Sequence, residues 1–215
     1  MVWPFNRDGR FTVKSGYNLI INASLSSNTS RPSGSWTTDK TLWKSIWNSK
    51  LVPKLKNFLW RMCKGCLSTC QALHRRHLGP SPLCPLCGEF PESEEHLLLL
   101  CNWVQGVWFG GPLCYKINRQ SITTIGEWLK RTLQIPQNSA HDRSWLMAQI
   151  AYTCWSIWKS RCAAVFEGVQ VCPQKTLCAA QSMVSEFMQM QSESAMNMSE
   201  NAVEVGATEA RWSVR

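Results

Sequence analysis

The stretch CPLCGEFPESEEHLLLLC, residues 84–101, holds two cysteines separated by two residues, a glycine directly after the second, then a histidine and a third cysteine. The pattern is C-x2-C-x8-H-x4-C, and it restricts what the surrounding chain can become. Zinc takes four ligands in a tetrahedron, drawn from thiolate and imidazole. Cys84 and Cys87 supply two from one tight turn, and Gly88 suits the backbone bend behind them. His96 and Cys101 supply the other two. Soft sulfur with one imidazole selects zinc over magnesium or calcium. Four protein ligands leave no position open for water, so a single zinc here is structural, and its binding energy serves as folding energy. His96 and Cys101 are five residues apart, about 140° around an ideal helix, so they do not share one helical face. The expectation is a short helix at SEEHL, a break, and a new helix beginning near Cys101. Glu92, Glu94 and Glu95 then sit near a helix N-terminus, where the dipole favours them.

A second group also resembles a ligand set. CKGCLSTCQALHRRH carries Cys63, Cys66, Cys70, His74 and His77. It straddles one amphipathic helix, a turn and the start of another, and packing or surface roles explain Cys66, Cys70 and His77 equally well. Whether this group holds a second metal stays open.

Charge placement points to a partner. The net charge is +9, and residues 40–88 contain no Asp or Glu but hold Lys40, Lys44, Lys50, Lys54, Lys56, Arg61, Lys64, Arg75 and Arg76. Those nine equal the whole excess. A one-sign block beside a metal site is the electrostatic footprint expected for a polyanion. Lys54, Lys56, Arg61, Lys64, Arg75 and Arg76 are the expected phosphate contacts; the competing reading is a solvated helix face. Eleven cysteines, an odd number, without a signal peptide argue against a disulfide framework. No run of eighteen apolar residues occurs, so no membrane span is expected, and the chain reads as intracellular.

Catalysis finds no constellation. The three aspartates, Asp8, Asp39 and Asp142, have no acidic neighbour, whereas two-metal phosphoryl chemistry needs clustered carboxylates. Neither a nucleophile elbow nor a Gly-rich phosphate loop is present. The chain is not expected to be an enzyme.

Periodicity gives a mostly α fold: a short N-terminal β-hairpin, a small zinc-stapled helical domain, a helical connector and a disordered tail. VWPF, NRDG and RFTV read as the hairpin turning at Asp8-Gly9, with Ser15 capping a helix over GYNLIINA, all within residues 1–23. Ser-rich residues 24–36 read as a flexible linker. Residues 37–110 form the zinc-binding domain. Leu42, Trp43, Ile46 and Trp47 mark one amphipathic helix; Pro53 opens a second, with Leu55, Phe58, Leu59 and Met62 on one face. Thr69 caps a third, and NWVQGVWF follows Cys101. Residues 111–190 form the connector. It has a helix around IGEWLKRTL, and a longer one from about Asp142 to Phe166 with Trp145, Ile150, Cys154, Ile157 and Trp158 near one stripe. Another runs from Pro173 to near Met190. Residues 191–215 are polar and non-periodic and read as mostly disordered. The twelve tryptophans recur with Leu and Ile at helical spacing, which favours core packing over base stacking.

The order of these motifs resembles the reverse transcriptase zinc-binding domain of LINE-type, non-LTR retrotransposon polyproteins of plants. The matching pieces are W-x-F-x-x-x-G-x-F-x-V-K-S-G-Y at Trp3–Tyr17, LWKSIWNSKLVPKLKNFLWRM at 42–62, LSTCQALHRRHL at 67–78, then CPLCG, EEHLLLLC and Val107-Trp108. IWKSRCAAVFEG at 157–168 resembles the connector that follows, with Arg161-Cys162 where Arg-Asn is usual. The resemblance implies zinc ligands at Cys84, Cys87, His96 and Cys101. It also implies a fragment of a polyprotein that lacks the reverse transcriptase and RNase H domains on either side. The expected function is a non-catalytic zinc module of retroelement origin that binds RNA or DNA non-specifically through its basic face. An alternative is a protein-interaction spacer that docks reverse transcriptase and RNase H domains through Trp43, Trp47 and Trp60, if these are exposed. A third reading is a decayed relic with no selected function.

Overall fold

The computed structural model describes residues 3–4, 9–17, 19, 40–135 and 139–212, with side chains described through residue 194. These fall into two compact units, Met1–Lys40 and Thr41–Arg215. The linker expected at 24–36 and the turn residue Asp8 lie outside the described residues.

The expected N-terminal hairpin is replaced by a helical turn. Among the described residues there is no strand, and residues 13–17 are helical. Thr12 and Ser15 explain the difference. The Ser15 backbone N–H donates to Thr12 Oγ1 at 3.1 Å, and the Thr12 N–H donates to Ser15 Oγ at 3.1 Å. This reciprocal cap satisfies two helix-end donors and starts the helix at Val13, inside the run read as the second strand. The cap is therefore Thr12, with Ser15 inside the first turn. Trp3 and Phe11 pack edge-to-face at 4.9 Å beside it.

In the larger unit, seven α-helices are described: α1 Lys40–Asn48, α2 Pro53–Cys63, α3 Cys70–Arg75, α4 Asn102–Gly110, α5 Ile125–Leu133, α6 Ala140–Glu167 and α7 Pro173–Trp212. A π-helical turn, His96–Leu100, precedes α4, and a 3-10 turn, Arg119–Ser121, precedes α5. The starts follow local chemistry. Pro53 stands in the first turn of α2. Thr69, Thr124 and Ser139 each accept a backbone N–H at the head of α3, α5 and α6.

The core is built on α6. Ile150, Cys154 and Ile157 are fully buried, and Trp145 and Trp158 pack at its edge. Leu55, Phe58, Leu59 and Met62 of α2 face the same interior. Phe58 meets Trp155 edge-to-face at 5.2 Å. The antiparallel α6–α7 pair is pinned by polar contacts at three levels. Gln149 and Gln181 exchange amide hydrogen bonds at 3.0 and 3.2 Å, Ser144 meets Gln191, and Ser160 meets Thr176 at 2.8 Å. Such buried amides must be paired to be tolerated, so they set the register of the two helices. Met188 is the last residue of α7 packed against the core among those whose side chains are described.

Candidate metal centre

A narrow turn carries the first two cysteines. Leu83 and Pro91 form an antiparallel bridge, flanked by Cys84 N–H to Phe90 O and Glu92 N–H to Pro82 O, both 2.8 Å. Gly88 closes the tip by donating to Cys84 O at 2.8 Å, with φ +72°, the left-handed region that favours glycine.

The second pair of ligands uses a different device. Residues 94–95 are α-helical, the chain then widens into the π turn at 96–100, and Cys101 leaves it in extended conformation at the head of α4. The expected break at Cys101 is present. The Cys101 N–H donates to His96 O at 2.8 Å, an i→i+5 bond. One extra residue per turn brings Cys101 over His96, which the 100° step of an α-helix forbids. The same widening lets Leu97, Leu98 and Leu99 all reach the core with no exposure.

The four ligand atoms of Cys84, Cys87, His96 and Cys101 lie within 4.8 Å of one another. Cys87 Sγ is 3.3 Å from His96 Nε2. Cys84, His96 and Cys101 are buried and Cys87 is half-buried. A zinc tetrahedron has ligand–ligand edges of roughly 3.5–3.8 Å, so the group is within about an ångström of that arrangement. The thiols answer to one another. Cys84 is held well below the ordinary thiol range, chiefly by the hydrogen bond from Cys101, and Cys101 is pushed up by that same contact and by burial. Three sulfurs this close cannot all ionise without a cation between them, and a divalent ion supplies that charge. The donor set and its burial fit a single structural zinc.

Acidic residues of the loop bind the site to the rest of the unit. Glu92 is fully buried. Its carboxylate accepts Arg161 Nε at 2.9 Å and Nη2 at 2.7 Å, and the Cys70 backbone N–H at 2.6 Å. It thus caps α3 and forms a forked ion pair with α6. Glu95 accepts the Ile125 N–H at 3.1 Å and serves the head of α5. The sequence placed these acids at their own helix start; Glu92 and Glu95 serve other helices instead. No local signal finds the Glu92–Arg161 pair, since its members are 69 residues apart. Glu94 is buried with Oε1 unpartnered among the described residues, and burial raises its carboxyl.

The group at 63–77 is scattered. Cys63 ends α2, where burial pushes its thiol up to about 12. Cys70 lies 3.4 Å from Arg161 Nη2 and is pushed up to about 11 by burial and its contact with Glu92. His74 and His77 are exposed. Among the described residues, Cys84, Cys87, His96 and Cys101 are the one such cluster.

The basic residues lie on α2, α3 and their flanks. Lys54, Arg61, Arg75 and Arg76 are exposed, and Lys56 and Lys64 half-buried. Lys54 Nζ stands 4.6 Å over the Trp155 ring, and Lys64 Nζ 5.2 Å over Trp43. Lys56 donates to Trp47 O at 3.0 Å, and Arg61 to Cys66 O at 3.2 Å. Trp47 and Trp60 are 45% and 38% exposed, while Trp43 is half-buried.

Fold and cluster together define a small helical module stapled by one structural zinc. Residues 11–108 match the family described as zinc-binding in reverse transcriptase. A protein of Arabidopsis thaliana, provisionally named a ribonuclease H protein, is 27% identical over 164 residues, 76% of this chain and 25% of its own length. The chain thus spans about a quarter of that relative. No solved structure gives a significant match. Among the described residues no helix is long and apolar enough to cross a membrane.

Proposed function

We propose that this zinc module is a non-catalytic nucleic-acid-binding surface, with Cys84, Cys87, His96 and Cys101 as the zinc ligands. The observation that carries the reading is the mostly exposed basic set of α2, α3 and their flanks. Lys54, Lys56, Arg61, Arg75 and Arg76 have no described carboxylate within ion-pair distance. Unneutralised cations on a rigid scaffold release counterions from a phosphate chain, and that term is independent of sequence. Lys56, Trp60 and Lys64 recur at i, i+4 and i+8 along α2 and its cap, which interleaves an exposed aromatic with cations. The test is binding of the zinc-loaded protein to a structured RNA across a salt series. Five or six phosphate contacts give a log–log slope of about −4 to −5, and Lys54→Glu with Arg75→Glu flattens it by about two units. Absence of binding at low salt overturns the reading.

A second reading has an observation of its own. The exposure of Trp47 and Trp60 suits a docking face for a reverse transcriptase or RNase H domain of the same polyprotein. Trp47→Ala with Trp60→Ala then abolishes association with the purified domains while leaving the salt slope on RNA unchanged.

A further inference from the structure

A cavity of about 750 Å³ opens between α1, the end of α5, the first two turns of α6 and the outer part of α7. That volume falls in the roughly 300–1,000 Å³ range of small-ligand sites. Its floor is apolar: Leu51, Leu133, Met147 and Phe187. Its rim carries Lys44, Lys50 and Arg143, all exposed, and no described Asp or Glu lines it. Beside the cations stands the exposed amide of Asn48, whereas Ser45 Oγ is bonded to Thr41 O and the Gln191 amide to Ser144. The cavity thus presents three chemistries: an apolar floor, one exposed amide, and cations.

A bare phosphate would leave the floor unused, and a lipid-like anion would make no use of the Asn48 amide. A nucleotide matches all three, with a flat base for the floor, edge groups for the Asn48 amide, and a phosphate for the rim. We propose that this cavity receives one unpaired nucleotide of a nucleic-acid strand, base over Leu51, Met147 and Phe187, phosphate against Lys44, Lys50 and Arg143. The inference rests on the nucleic-acid reading and deepens it, because a paired base cannot leave its stack to enter without an unpairing cost. The module therefore prefers single strands or unpaired ends to blunt duplex.

The experiment uses the zinc-loaded full chain with a labelled octauridylate and a blunt eight-base-pair RNA duplex at one salt concentration. Ser45→Trp fills the cavity mouth from the exposed face of α1 without altering charge, and Asn48→Trp does so from a second position. Zinc content and melting temperature check that each variant folds. The expected result is a tenfold or greater loss of octauridylate binding in both variants with duplex binding within twofold of wild type. A 4-thiouridine at the strand end should crosslink to the peptide holding Met147 or Met188. Unchanged octauridylate binding in both variants overturns the cavity assignment and leaves the basic face standing. No binding of either RNA overturns both. Mouth-sensitive binding of dodecanoate without octauridylate binding overturns the nucleotide in favour of an apolar anion.

Discussion

Three residues carry sharply different burdens. Cys84 is a fully buried sulfur at the centre of the cluster. Cys84→Ser should remove bound zinc and lower the melting temperature together; metal analysis beside calorimetry reads both, and unchanged stability refutes a structural zinc. Arg161 carries the other half of the buried pair with Glu92. Removing one partner of such a pair costs about 3–5 kcal/mol, so Arg161→Met should destabilise by that order in denaturant titration. The double change with Glu92→Leu should recover part of the loss. Recovery stays incomplete because the Cys70 N–H then lacks its acceptor. His77 works against the fold. It ends α3 at φ +57°, where Leu78 N–H bonds to Leu73 O. A non-glycine residue there costs about 1 kcal/mol or more, so His77→Gly should stabilise the protein by about 1 kcal/mol, read as a raised denaturation midpoint.

Elements show what a sequence carries on its face. The buried stripe of α2, the Thr69 cap, the Pro173 start and the break at Cys101 were all legible, because each depends on neighbours within one or two turns. The π turn was not. The 140° mismatch between His96 and Cys101 showed that something must give, but periodicity cannot say whether the chain breaks or widens. It does both: it widens through the four leucines and breaks at Cys101. The N-terminal hairpin misled for a similar reason. RFTV has β propensity, yet a two-residue capping contact between Thr12 and Ser15 decides the local outcome. The π turn yields its own expectation. Inserting one alanine between Leu100 and Cys101 carries the cysteine about 100° further round from His96, so zinc content should fall to background. Leu100→Ala keeps the spacing and should retain the metal.

Across the whole molecule, the metal ligands were readable from spacing and the charge block from composition, but what couples them to the long helix was not. Glu92 looked like one acid among several in a polar run, and Arg161 like one cation on a helix; only the fold shows them as partners. That coupling makes the metal's influence reach beyond its own loop. On chelation, amide exchange should rise in α3 and α4 and also along α6 near Arg161. Protection of α6 unchanged by chelation would mean that the ion pair holds without the metal.

The span of the Glu92–Arg161 pair bears on how the chain emerges during synthesis. The ribosome releases all four zinc ligands some sixty residues before the guanidinium that neutralises Glu92. A nascent chain that has already closed around its metal must leave that carboxylate without its guanidinium until α6 arrives. The same holds for any shortened chain stopped at residue 108, where the family match ends. It would contain every ligand and still be an unfinished fold, retaining metal but opening readily to proteases around residues 70–75. The boundary inherited by the family and the boundary at which the molecule becomes stable are two different places.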